Sequence, residues 1–92
     1  MIVTFEFGGN LAEIIGKDTV TVNIIGNSAT LGEALTQMIN SYSHFHERLE
    51  KSGILSNGEL KAMFVLENDL IQTENLVHHN CVIRVLPQIC GG

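Results

Sequence analysis

Cations are scarce in this chain: only five of its 92 residues are lysine or arginine, against ten aspartates and glutamates. Phosphate binding needs clustered cations, so nucleic acid is excluded as an expected partner. An anionic membrane surface is excluded on the same ground. Cysteine is also rare. Cys81 and Cys90 are too few for a disulfide scaffold. No apolar run approaches the ~20 residues that span a bilayer. The first residues, Met1 to Phe7, alternate and carry Glu6, so they do not read as a signal peptide. These absences together predict a cytoplasmic protein with reduced thiols. There is no internal repeat, low-complexity segment or interdomain linker, so a single domain is expected.

What remains is the composition of a folded globular domain, 45% hydrophobic and 16% charged. A chain this short buries roughly 60–65% of its unfolded surface, enough for a two-layer core but not for a deep catalytic cavity. The net charge of −5 suits docking on a basic patch of another protein.

The hydrophobic pattern changes period along the chain. Residues 2–7 alternate, with Val3, Phe5 and Phe7 on one face, as a half-buried strand does. Residues 11–16 predict a short turn or helix closed by Gly16. Residues 19–25 alternate again, with Val20, Val22 and Ile24 inward, and Gly26-Asn27 follows as a turn. Thr30 and Glu33 have capping-box spacing. Leu31, Ala34, Leu35, Met38, Ile39 and Tyr42 then form one stripe of an amphipathic helix. Phe45 and Leu49 prolong the stripe beyond a break expected at residues 41–43, and Gly53 ends it. A turn at residues 56–58 leads to residues 62–66, apolar throughout, as in a central strand covered on both sides. Asn68-Asp69 reads as a tight turn into Leu70-Ile71. Residues 81–86 form a last strand that Pro87 stops.

The order strand, strand, helix, strand, short strand, strand makes a two-layer α+β domain with one main helix on a mixed sheet. The helix is the natural crossover to a strand parallel to the first. This is the ubiquitin-like β-grasp arrangement, expected over residues 1–87, with residues 88–92 as a flexible tail.

That tail carries the chemistry. A closing pair of glycines, Gly91-Gly92, arises by chance about once in 200 chains. Lacking Cβ atoms, a glycine pair threads a channel that any other residue would block. From Pro87 to Gly92 the extended chain spans at most ~20 Å, enough to place the Gly92 carboxyl inside a partner's active site. A free carboxylate is a poor electrophile. It needs activation, most simply as an acyl-adenylate made from ATP by another enzyme. Sulfur then converts it to a thiocarboxylate, or a lysine amine takes it as an amide.

Other motifs are weaker. His44 and His46 are two apart and face different ways on a helix. His78-His79-Asn80-Cys81 lacks paired zinc-site spacing and reads as a solvated turn. Gly8-Gly9 lacks the lysine and later glycine of a phosphate loop. Glu67 and Asp69 flank a turn, where acidic residues are ordinary. Met38, Met63 and Phe64 are better read as core than as a partner patch. No nucleophile–base–orienter set is present. The chain is therefore no enzyme by itself, has no metal site, and binds no cofactor permanently. Any sheet face left bare by the single helix is the expected docking surface.

With the strand Phe5-Glu-Phe7, the stretch Leu11-Ala-Glu-Ile-Ile-Gly16, the helix start Ala29-Thr-Leu-Gly-Glu-Ala-Leu35 and the ending Val82-Ile-Arg-Val-Leu-Pro87…Ile89-Cys-Gly-Gly92 in place, the chain resembles the MoaD/ThiS family of ubiquitin-like sulfur carriers. Its length favours the MoaD branch, the small subunit of molybdopterin synthase. The resemblance implies three partners: an adenylating activating enzyme of the MoeB/ThiF kind, a sulfurtransferase, and a MoaE-like large synthase subunit. Gly92 would carry the sulfur for molybdenum-cofactor biosynthesis and Gly91 would give clearance. Pro87, Gln88, Ile89 and Cys90 would form the rest of the partner-binding arm, with Ile89 and Cys90 in the channel mouth. The same tail also suits a modifier joined to lysines, or a carrier for thiamin synthesis or tRNA thiolation.

Overall fold

The computed structural model describes residues 1–42, 44–57 and 59–88. The chain begins with two antiparallel strands, β1 (Ile2–Phe7) and β2 (Thr19–Asn23), joined through the short helix α1 (Leu11–Ile15). Gly16 ends α1 with φ 85°, a left-handed cap that an L side chain resists. Arg48 reaches the same place and donates from Nη1 to the Ile15 carbonyl at 2.9 Å. As expected, Val3, Phe5, Phe7, Val20 and Val22 all point into the core. The second strand is shorter than its alternation suggested. It ends at Asn23, and although Ile24 is buried, Ile25 stands in solvent.

Strand β3 (Ala29–Thr30) leads directly into helix α2 (Leu31–Ser41). Thr30 Oγ1 accepts from the Glu33 amide at 3.1 Å, and the Glu33 carboxylate reaches back to the Thr30 amide. The expected capping box is thus present. Leu31, Ala34, Leu35, Met38 and Ile39 are buried. Tyr42 adopts an extended backbone, φ −131° and ψ 117°, and so breaks the helix. Helix α3 (Phe45–Lys51) resumes the stripe with Phe45 and Leu49 buried. The break falls where the apolar spacing predicts it, although Ser43 lies outside the described residues. Gly53 follows α3 in a left-handed conformation.

A small hairpin, β4 (Leu55–Ser56) with β5 (Glu59–Leu60), occupies the predicted turn; Gly58 lies outside the described residues. Strands β6 (Ala62–Leu66) and β7 (Asp69–Ile71) follow. Their connecting turn is Glu67-Asn68, not Asn68-Asp69. Leu66 pairs with Asp69, and both intervening residues have positive φ, as a two-residue hairpin turn requires. Strand β8 (Leu76–Val77) pairs with β3, a contact too short to read from the sequence. Strand β9 (Cys81–Pro87) completes the domain.

The main sheet has the order β2-β1-β9-β6-β7. The parallel partner of β1 is β9, so the last strand occupies the centre. The segments β6 and β7 lie beyond it, with β6 antiparallel to β9. The arrangement is the ubiquitin-like β-grasp fold, a mixed sheet covered on one side by helices. Two expectations need correction. Strand β6 is not covered on both sides, because Ala62 and Phe64 are buried while Met63 and Val65 are half-exposed on the helix-free face. Met63 is therefore not core, unlike Met38 and Phe64. The last strand also runs one residue beyond the expected 81–86; Pro87, opposite Ala62, is its final residue and ends the ladder there.

Candidate functional site

The strongest sequence candidate, Gly92, lies with Gly91, Cys90 and Ile89 outside the described residues. Pro87 and Gln88 are described, and they place the root of the arm at the end of the central strand. Strand position explains what surrounds this root. Side chains alternate across a sheet. Ile83 and Val85 are therefore buried against the helices, while Val82, Arg84 and Leu86 face the open side.

The open face carries two rows next to the root. Across the first row run Leu70, Val65, Arg84, Glu6 and Thr19, in register from β7 to β2. The Arg84 Nε and the Glu6 carboxylate are 3.8 Å apart, both half-exposed, a pair that contributes at most about 1 kcal/mol. Beside it Leu86 lies opposite Met63. Leu70 is 69% exposed and Val82 50% exposed. The open face thus combines exposed apolar side chains with one ion pair near its centre.

On the other flank of the root lies Gly8-Gly9. The Gly8 amide donates to the Val85 carbonyl at 2.9 Å. Both glycines stand against the last two residues of β9, Leu86 and Pro87. The sequence holds no signal for this beyond the bare glycine pair, because the contact joins residues nearly eighty positions apart.

The weaker candidates are separated by the fold. His44 precedes α3 and makes no side-chain cap. His46 lies on α3 and pairs with Glu50 at 2.6 Å, one helical turn on. His78 and His79 are exposed in the predicted turn before β9. Asn80 there has a structural task, accepting from the Ile2 amide at 2.7 Å. No group of three or more His, Cys, Asp or Glu side chains converges among the described residues. Burial pushes the Cys81 thiol above its ordinary pKa, and the Glu67 charge adds to the shift. That thiol is therefore protonated near neutral pH and a poor nucleophile. A groove of about 480 Å³ between α2 and the β6–β7 edge has Leu35, Ile39, Phe64 and Ile71 in its floor, and Glu59 and Glu74 at its rim. It holds no paired acid and base. No helix among the described residues is long and apolar enough to cross a membrane.

No protein-family model matches the chain. No curated protein matches it either. Solved structures do match. The chain is similar over its full length to the small archaeal modifier protein 1 from Haloferax volcanii, with 23% identity, a TM-score of 0.77 and complete coverage of both chains. It is similar to a protein assigned as molybdopterin converting factor subunit 1 from Pyrococcus furiosus, with 11% identity and a TM-score of 0.69, covering 97% of this chain and 99% of that one. A third similar structure is the complex of subunits 1 and 2 of molybdopterin-converting factor from Helicobacter pylori, with 21% identity, a TM-score of 0.57 and complete coverage of both chains. At these identities the likeness concerns the fold. It places the chain among ubiquitin-like β-grasp domains, the architecture that the MoaD/ThiS resemblance implies.

Proposed function

We propose that the chain is a ubiquitin-like carrier whose Gly92 carboxyl is activated and transferred by partner enzymes. The observation that carries this reading is the Gly91-Gly92 pair on an arm rooted at Pro87, the end of the central strand of a β-grasp domain. In the proposed cycle an activating enzyme binds ATP. The Gly92 carboxylate attacks the α-phosphorus, and pyrophosphate leaves. Hydrosulfide delivered by a sulfurtransferase then attacks the acyl carbon and AMP leaves, giving a thiocarboxylate and one proton. The chain contributes no acid, base or metal. It supplies the acyl group, the clearance of Gly91, the arm residues Gln88, Ile89 and Cys90, and an open sheet face for docking. The downstream acceptor in this reading is a pterin precursor held by a large synthase subunit. The likeness to a subunit of a two-subunit molybdopterin-converting complex supports that choice.

The second reading ends in an amide, with a partner's lysine displacing AMP. The likeness to a structure named as a modifier protein supports it. Both readings share the adenylate and differ only in the nucleophile that follows.

Intact-mass analysis tests the shared step and separates the two. With a cognate activating enzyme, ATP and a sulfur source, the protein ending at Gly92 is expected to gain mass by one oxygen-to-sulfur replacement. Lysine-linked adducts in extract of the native host would identify the modifier instead. A new mass mapping to a cysteine side chain, or none at all with an enzyme of proven activity, defeats the carrier reading. Cys90→Ser is expected to keep most thiocarboxylate formation. Gly92→Ala is expected to lose it, because its methyl must enter the channel.

A further inference from the structure

We infer that Gly8 and Gly9 are positioning residues for the arm, forming with Leu86 a seat that fixes the direction in which the chain leaves the sheet at Pro87. The inference rests on the carrier reading of Gly92.

The backbone of Gly8 continues the pairing of β1 with β9, through its 2.9 Å bond to the Val85 carbonyl. It therefore lies alongside the last residues of the central strand. A Cβ on Gly8 would stand 2.6 Å from Leu86 Cδ2. A Cβ on Gly9 would stand 3.0 Å from Pro87 Cγ and 3.1 Å from Cδ. The two contacts differ in kind. The end of the Leu86 side chain rotates away at little cost, whereas the Pro87 ring is rigid and part of the backbone. Because the ring fixes φ, displacing it turns the chain itself. Gly9 also has φ 59°, where an L residue is strained.

From the other flank Met63 faces Leu86 and Ala62 faces Pro87. The root is thus enclosed on both sides, by bare backbone on one and by β6 on the other. The apolar row that includes Leu86 belongs to the open face. A partner bound there receives the arm from a direction set at the edge of its own footprint. The five residues beyond Pro87 reach at most ~18 Å, so a turn of ten degrees at Pro87 shifts their aim by about 3 Å. Misplacement on the scale of 1 Å costs reactions heavily.

The test compares Gly9→Ala, Gly9→Asn and Gly8→Ala with the full-length wild type. Each is assayed by thermal melting and by pyrophosphate release with ATP and the cognate activating enzyme, with kcat and KM resolved. Asparagine tolerates the left-handed conformation but still presents a Cβ to Pro87. Gly9→Asn is therefore expected to recover most of the melting temperature lost in Gly9→Ala, while its kcat stays about tenfold or more below wild type. KM, which reflects docking on the sheet face, is expected to change less than about threefold. Gly8→Ala is expected to have a smaller effect of the same kind. A folded Gly9→Asn with wild-type kcat overturns the inference and leaves the carrier reading intact. So does a kcat that falls only in step with the folded fraction. If both Gly9 variants fail to fold, Gly8→Ala decides: a folded variant with unchanged kcat, or one that no longer melts cooperatively, reduces the seat to a structural contact. A wild type that is never adenylated defeats the carrier reading itself.

Discussion

The two faces of the sheet are built from the same strands but face opposite demands. On the helix side Val3, Phe5, Ile83 and Val85 are essentially inaccessible. At the alternate positions of the same strands stand Thr4, Glu6, Val82 and Arg84, half-exposed or exposed. A single period-two pattern thus separates the part that holds the fold from the part left for recognition. The lesson is that the informative residues for function are the ones the core does not claim.

Substitutions should divide along the same line. The largest loss is expected for Phe5→Ala, about 3–5 kcal/mol, because it opens a cavity at a large, fully buried side chain. Urea unfolding measures it, and a loss below about 1 kcal/mol would mean that the helix side is poorly packed. Next comes Thr30→Ala, which removes the cap of α2 and one half of its reciprocal box. A loss of about 1 kcal/mol is expected, and Thr30→Asp should retain most of the stability. Leu70→Ser, on the open face, is expected to change stability by no more than about 0.5 kcal/mol. It should nevertheless weaken binding of the activating enzyme measurably by calorimetry; unchanged binding would move the docking surface elsewhere. The smallest effect on stability is expected from deleting Gly91 and Gly92. The melting temperature should stay within a degree or so, while transfer is lost. A large drop would show that the arm is packed.

Local chemistry made much of this architecture readable in advance. The alternation of Val3, Phe5 and Phe7, the Thr30–Glu33 box and the stripe from Leu31 to Leu49 each act over a few residues, and each appears where the spacing puts it. The structure departs from the local pattern where the outcome depends on distant partners. Whether Met63 and Val65 are covered depends on the number of helical layers, not on their own neighbours in sequence. The turn falls at Glu67-Asn68, one residue before the place the local pattern implies, because register is set by pairing of β6 with β7. The pairing of β3 with β8 involves two residues on each side, too few to leave a pattern. The candidate site divides likewise. The Gly91-Gly92 pair is conspicuous in the sequence, but the contact of Gly8-Gly9 with Leu86 and Pro87 is visible only once β1 lies beside β9.

That adjacency bears on the birth of the molecule. Val3 is paired with Cys81 and Phe7 with Val85, across almost the whole chain. The strand that fills the middle of the sheet is thus synthesised after both of its neighbours, β1 and β6. Until then β1 with β2 and β6 with β7 are two separate hairpins whose inner edges await the same missing strand. Such long-range closure slows folding. It also means that the Gly8–Val85 contact exists only once the last strand is in place, so under the proposed carrier reading activation waits on completion of the fold.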